Sequence, residues 1–140
     1  MANTKSTTTE KVSAHLDAEL TDEQVTQLHE TLLKERDRVQ KGLERHIAEA
    51  VQDVDRLADD VDLASRHSEQ AYLMRFADKE RKLLREIDHA LVKLRAGTYG
   101  VCEGSMEPIG FARLTLRPWT RYSIEYKEQL ERQRRDHRRR

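Results

Sequence analysis

Residues 73–97 read LMRFADKERKLLREIDHALVKLRAG. Leu73, Ala77, Glu80, Leu84, Ile87, Leu91 and Leu94 recur at alternating spacings of four and three. That is the seam of a coiled-coil helix, with Glu80 as its one polar interruption. The helix starts near Ala64 and runs to Ala96, and Gly97 is placed to cap it. A second apolar stripe lies upstream at Val25, Leu28, Leu32, Val39, Leu43 and Ile47. Thr21, followed three residues later by Gln24, supplies a capping box for its start. Gly42 weakens this first helix by about 1 kcal/mol relative to alanine and invites a local bend.

Neither stripe buries itself alone. The segment between them is short and acidic, so the two helices close on each other as an antiparallel coiled-coil hairpin over residues 20–97, with its tip at about 52–64. The fold class is mainly α. Residues 1–19 carry no sustained apolar period and are expected to be largely disordered, with a short turn around Ala14 to Leu20. Residues 98–130 are turn-rich at first, concentrate Phe111, Trp119, Tyr122 and Tyr126, and lead into a C-terminal helix. Residues 131–140 form a basic tail containing Arg134, Arg135, Arg138, Arg139 and Arg140. Such a tail reads as solvated, or as a contact for acidic protein surface or nucleic-acid phosphate.

Composition agrees with a slender helical protein. Of 140 residues, 37% are charged and 36% hydrophobic, whereas globular domains average ~25% charged and ~45–50% apolar. The zero net charge conceals an asymmetry. Residues 110–140 carry ten Arg/Lys against four acids, and residues 44–62 carry seven acids against Arg45 and Arg56. One end thus offers negative charge and the other positive. No apolar run reaches the ~18 residues of a membrane span, and the N-terminal stretch lacks an apolar signal core, so a cytoplasmic protein is expected. No catalytic triad, phosphate loop or cofactor motif points to an enzyme. The six histidines have no metal-like pairing and read as surface residues.

Cys102-Glu-Gly-Ser105 is followed, after 17 residues, by Ser123-Ile-Glu-Tyr126. With cysteines at Ser105, Ser123 and Tyr126 this would be a four-thiolate zinc pattern. Two hydroxyls and a phenol are poor Zn²⁺ ligands, so no zinc is expected. Val101, Ile109, Phe111, Leu114, Trp119, Tyr122, Ile124 and Tyr126 are expected to form a small apolar cluster instead. Cys102 then reads as a buried remnant thiol, a redox-sensitive thiol being the other reading; no neighbour in sequence is marked to lower its pKa.

On this skeleton the chain resembles the DksA/TraR family of bacterial RNA polymerase-binding regulators, over roughly residues 20–130. The residues that carry the resemblance are Asp59-Asp-Val-Asp62-Leu-Ala64, Glu80-Arg-Lys-Leu-Leu, Gly97-Thr-Tyr-Gly-Val-Cys102, Ile109-Gly-Phe-Ala-Arg-Leu and Arg117-Pro118, in order and at family spacing. Loss of three of four cysteines is similar to the low-cysteine, zinc-independent branch, with a degenerate zinc-finger-like module. The resemblance implies that the hairpin enters the polymerase secondary channel, with Asp59 and Asp62 near the catalytic centre and Ala64 packed closely. It also implies ppGpp as an effector, contacted by Lys79, Arg117 and Lys127. Glu86 stands where the family expects a lysine. The implied protein is a monomeric transcription regulator without sequence-specific DNA binding. Two other functions suit the same hairpin: a coiled-coil adaptor that docks another protein, and a transcript-cleavage factor with paired tip acids.

Overall fold

The computed structural model describes residues 10–55 and 63–140. Four α-helices follow a short 3₁₀ turn at Leu16–Ala18: α1 at Asp22–Asp55, α2 at Leu63–Ala96, α3 at Phe111–Leu116 and α4 at Ile124–Arg139. Helix α1 begins where its sequence satisfies the first free amides: Gln24 N donates to Thr21 Oγ1 (3.2 Å) and Thr21 N donates to Gln24 Oε1 (3.1 Å). Helix α2 ends at Gly97, whose φ of 73° is open to glycine, and Thr98 N turns back to Lys93 O. This is the six-to-one bond of a Schellman cap.

The contacts between α1 and α2 establish their direction. Arg36 pairs with Asp88, His46 with Glu80, and Gln70 donates to the carbonyl of Ala50. Partner numbers fall on α2 as they rise on α1, so the helices are antiparallel. Each has 34 residues, about 50 Å of rod at ~1.5 Å per residue. The mainly helical hairpin expected from the two stripes is therefore the fold. Val25, Leu28, Leu32 and Val39 on one arm bury against Ile87, Ala90, Leu91 and Leu94 on the other. Farther along the arms, Ala50 and Ala77 are the buried apolar residues among those described.

Gly42 does not break α1, which continues through it to Asp55. The place of its missing Cβ is occupied by Glu80, the polar member of the α2 seam. Glu80 Oε2 lies 2.9 Å from His46 Nδ1, and both side chains are only 20% exposed. His46 is thus not the surface residue expected of it. A carboxylate inside an apolar seam needs a partner, and His46 sits one helical turn from Gly42 on the facing arm.

The short turn expected around Ala14 to Leu20 is the 3₁₀ turn at Leu16–Ala18, but residues 10–19 as a whole depart from expectation. Disorder was expected because they lack an apolar period, yet they are laced across the open end of the hairpin. Ser13 N donates to Leu94 O and His15 N to Tyr99 O, each at 2.8 Å, and Ala14 bridges Tyr99. Ala18 is buried, and a Cβ on Gly100 would press on it. Backbone pairing, which leaves no periodic mark in side chains, does the work. Residues 1–9 lie outside the described residues.

Residues 98–123 fold onto the same core. Tyr99 and Leu114 are buried within it, while Ile109, Phe111 and Trp119 pack against it. Of the eight residues expected to form a small apolar cluster, Ile109, Phe111, Leu114 and Trp119 thus join the hairpin core. Ile124 takes no part, being 50% exposed at the start of α4. Tyr99 donates its hydroxyl to Pro118 O at 2.7 Å, and burial pushes its phenol pKa up. The last residues differ too: α4 extends to Arg139, so the basic run is helical.

Candidate functional site

The hairpin has two chemically different ends. At one, the arms stop at Asp55 and Leu63, the far end from Gly97. Asp59 and Asp62 lie outside the described residues. Ala64 is exposed in the first turn of α2, and its carbonyl accepts the Ser68 hydroxyl at 3.1 Å. A groove of about 520 Å³ beside it is lined by Glu49, Gln52, Ser68, Glu69, Tyr72 and Leu73. Tyr72 packs edge-on against Phe76, whose ring lies 5.8 Å from the Lys79 ammonium.

At the other end, Cys102, Ser105, Ser123 and Tyr126 come together. Ser105 N points at Cys102 Sγ at 3.5 Å. Ser123 is 3% exposed and caps α4, its Oγ accepting from Tyr126 N at 3.3 Å. The Tyr126 ring lies on Gly104, so that a Cβ there would clash with the ring. Burial pushes the Cys102 thiol up, but hydrogen bonds from Ser105 and from the Ser123 and Gly104 amides outweigh it and bring the thiol to about 7. The expectation that nothing nearby lowers this pKa is corrected: the foremost donor is the Ser105 hydroxyl, joined by the backbone amides of Ser105, Ser123 and Gly104, which residue identities do not mark.

These positions fit a zinc ion poorly. One thiol is present, one hydroxyl serves as a helix cap, and the phenol ring fills the space beside Gly104. Among the described residues no group of three or more His, Cys, Asp or Glu side chains could hold a metal.

Next to Cys102 stands a feature that residue patterns did not reveal. Glu103 Oε1 takes His89 Nε2 at 2.7 Å and Lys93 Nζ at 2.9 Å, and Oε2 takes Arg121 Nη2 at 2.7 Å. Glu103 N also donates to Arg121 O. One carboxylate thereby ties α2 to the chain leading into α4. Its partial burial raises its pKa, yet the bonds from Arg121, Lys93 and His89 prevail and bring it down to about 2. The available signal was a basic stripe at helical spacing, Lys82, Arg85, His89 and Lys93, upstream of an acid in a turn.

The three cations expected to contact phosphate come from three different elements. Arg117 is exposed at the end of α3, and Lys127 is exposed on the first turns of α4. Lys79 lies on α2 about 20 Å before Lys93 at ~1.5 Å per residue. Between them, Lys82, Arg85, Glu86, His89 and Arg121 line a cleft of about 390 Å³. Glu86 brings its negative charge into that otherwise basic cleft.

Comparison with known proteins accounts for this architecture. A family model described as "DnaK suppressor protein DksA, N-terminal domain" matches residues 24–94, most of both arms. The chain is 34% identical over 119 residues to the RNA polymerase-binding transcription factor DksA of Caulobacter vibrioides, covering 85% of this chain and 84% of that one. It is 29% identical over 108 residues to the protein of the same name from Haemophilus influenzae, covering 77% and 74%. The solved structure of transcription factor DksA2 from Pseudomonas aeruginosa superposes with a TM-score of 0.77 at 38% identity, over 84% of this chain and 91% of that one. With both hairpin arms inside the matched region and identity sustained over most of each chain, this protein belongs to the DksA/TraR family.

Proposed function

We propose that this chain is a non-enzymatic transcription regulator that binds RNA polymerase and modulates initiation by inserting its hairpin into the secondary channel. One observation carries this: two 34-residue arms in antiparallel register form a rod that ends beside the acidic run. A slender rod reaches where a globule cannot enter, and the relatives are themselves named RNA polymerase-binding factors. Asp59 and Asp62 act at the catalytic centre by charge on basic side chains or bound Mg²⁺. Ala64, small and exposed, permits close approach. The protein works as a cytoplasmic monomer.

The base end folds and functions without zinc, with Tyr126 and the Ser123 cap in place of ligands. The alarmone ppGpp is bound between regulator and polymerase by Lys79, Arg117 and Lys127, with Glu86 weakening the coupling by repulsion of phosphate. One stoichiometric zinc per chain in elemental analysis would overturn the metal-free reading. The decisive experiment is transcription in vitro with the cognate polymerase, with and without ppGpp. Wild type alters open-complex lifetime; Asp62→Asn binds polymerase almost as well but has no effect on transcription. Equal activity of wild type and Asp62→Asn would overturn the tip mechanism.

A further inference from the structure

Helix α4 makes no helix–helix packing contact with α1, α2 or α3, and it has no buried residue. From Arg132 to Arg140 it carries six arginines against Asp136 alone. At ~100° per residue, Arg132, Arg134, Arg135, Arg138 and Arg139 fall within one half of the helix circumference. Gln133, Asp136 and His137 occupy the other half. All of these side chains are exposed. Among the described residues, Arg132 reaches Glu128 at 3.9 Å, and Arg134, Arg135, Arg138 and Arg139 have no carboxylate partner.

This face is costly as it stands. Arg134–Arg138 and Arg135–Arg139 are like-charge pairs one turn apart, each of which disfavours the helix. A dense external anion removes that repulsion. Guanidinium groups bind phosphate oxygens in a bidentate fork, which suits a regular phosphate polymer. A protein partner would require aromatic or aliphatic anchors at the centre of the contact. Beyond Leu130 the helix offers none.

We propose that the C-terminal half of α4 is a sequence-independent binding face for the phosphate backbone of duplex nucleic acid. The face lies on a different element from the hairpin tip, so it operates whether or not the polymerase reading holds.

The test uses the full chain without polymerase and a fluorescein-labelled mixed-sequence DNA duplex, read by anisotropy. Four neutralised phosphates, each adding ~0.9 to the salt slope, predict binding on the order of 100-fold weaker at about 200 mM salt than at about 50 mM. Combined Arg134→Gln, Arg135→Gln, Arg138→Gln and Arg139→Gln is expected to weaken low-salt binding at least about tenfold and flatten the slope. Circular dichroism confirms that this variant is folded, since the four side chains touch no other element. No wild-type binding at low salt, or equal binding by the variant, would overturn the proposal. Displacement of the duplex by polyglutamate at equal charge concentration would also overturn it, in favour of an acidic protein surface.

Discussion

Glu80 lays its carboxylate over the backbone of Gly42, with Oε1 2.9 Å from the point a Cβ there would occupy, while Oε2 holds His46 at 2.9 Å. Helix propensity alone predicts that Gly42→Ala stabilises the chain by about 1 kcal/mol. The new methyl would displace Glu80 from His46, so the substitution is expected to be neutral or destabilising. In a Glu80→Ala background the propensity gain returns. Urea denaturation of the four proteins should give a coupling of about 0.5–1 kcal/mol between the two sites. Strict additivity would show that the contact has no energetic weight.

The Glu103 clamp makes the base of the hairpin acid-labile. Its folded pKa of about 2 lies below the ordinary 4.5. The stability it contributes is therefore complete above pH 4.5 and is lost as pH falls toward 2. With the carboxylate still partly exposed, about 1–2 kcal/mol is at stake. Glu103→Gln should be less stable at neutral pH and flatter between these limits. Chemical denaturation across that range, compared between the two proteins, gives the answer; parallel curves would contradict it.

Cys102 should titrate near pH 7 rather than at the ordinary 9.0, as read by thiolate absorbance near 240 nm. Because the folded pKa is the lower one, stability from this group is lost as pH falls through about 7 and is fully present above 9.0. Wild type should gain stability relative to Cys102→Ser as pH rises through that window. A titration midpoint at 9 would mean that the Ser105 hydroxyl and the amide donors do not reach the sulfur.

Gly104 and Tyr126 form the tightest contact at the former ligand positions. Gly104→Ala drives a methyl into clash with the tyrosine ring and should cost about 1–3 kcal/mol, the usual range for overpacking. Tyr126→Ala should relieve most of that cost, because the space then opens. Thermal melts of the single and double variants measure the relief. A Gly104→Ala protein as stable in the wild-type background as in Tyr126→Ala would remove Tyr126 from the account of how this end holds together.

The hairpin was legible in the sequence because its core is built from side chains at helical spacing. Val25, Leu28 and Leu32 face Ile87, Leu91 and Leu94, and their identities announce their burial. Its ends were harder. Residues 10–19 dock through Ser13 and His15 amides, which every residue possesses. Helix α3 spans only six residues, too short for periodicity to declare itself. Glu103 was one acid among many until the fold brought Lys93 and Arg121 to it from opposite directions. At the former ligand positions, residue types indicated poor zinc chemistry. That the Ser105 hydroxyl and three backbone amides converge on Cys102 and lower its pKa became apparent only in three dimensions.

The equal arms of the hairpin have a consequence for how its length can change. Each seam position on α1 is matched to one on α2, so the rod behaves as a ruler whose two edges share one scale. Removing a heptad from both arms would shorten its reach by about 10 Å at ~1.5 Å per residue and keep every remaining pair in step. Removing it from one arm would slide His46 off Glu80 and break the scale along the whole rod. Reach is therefore a quantity that evolution or design can adjust only in paired increments.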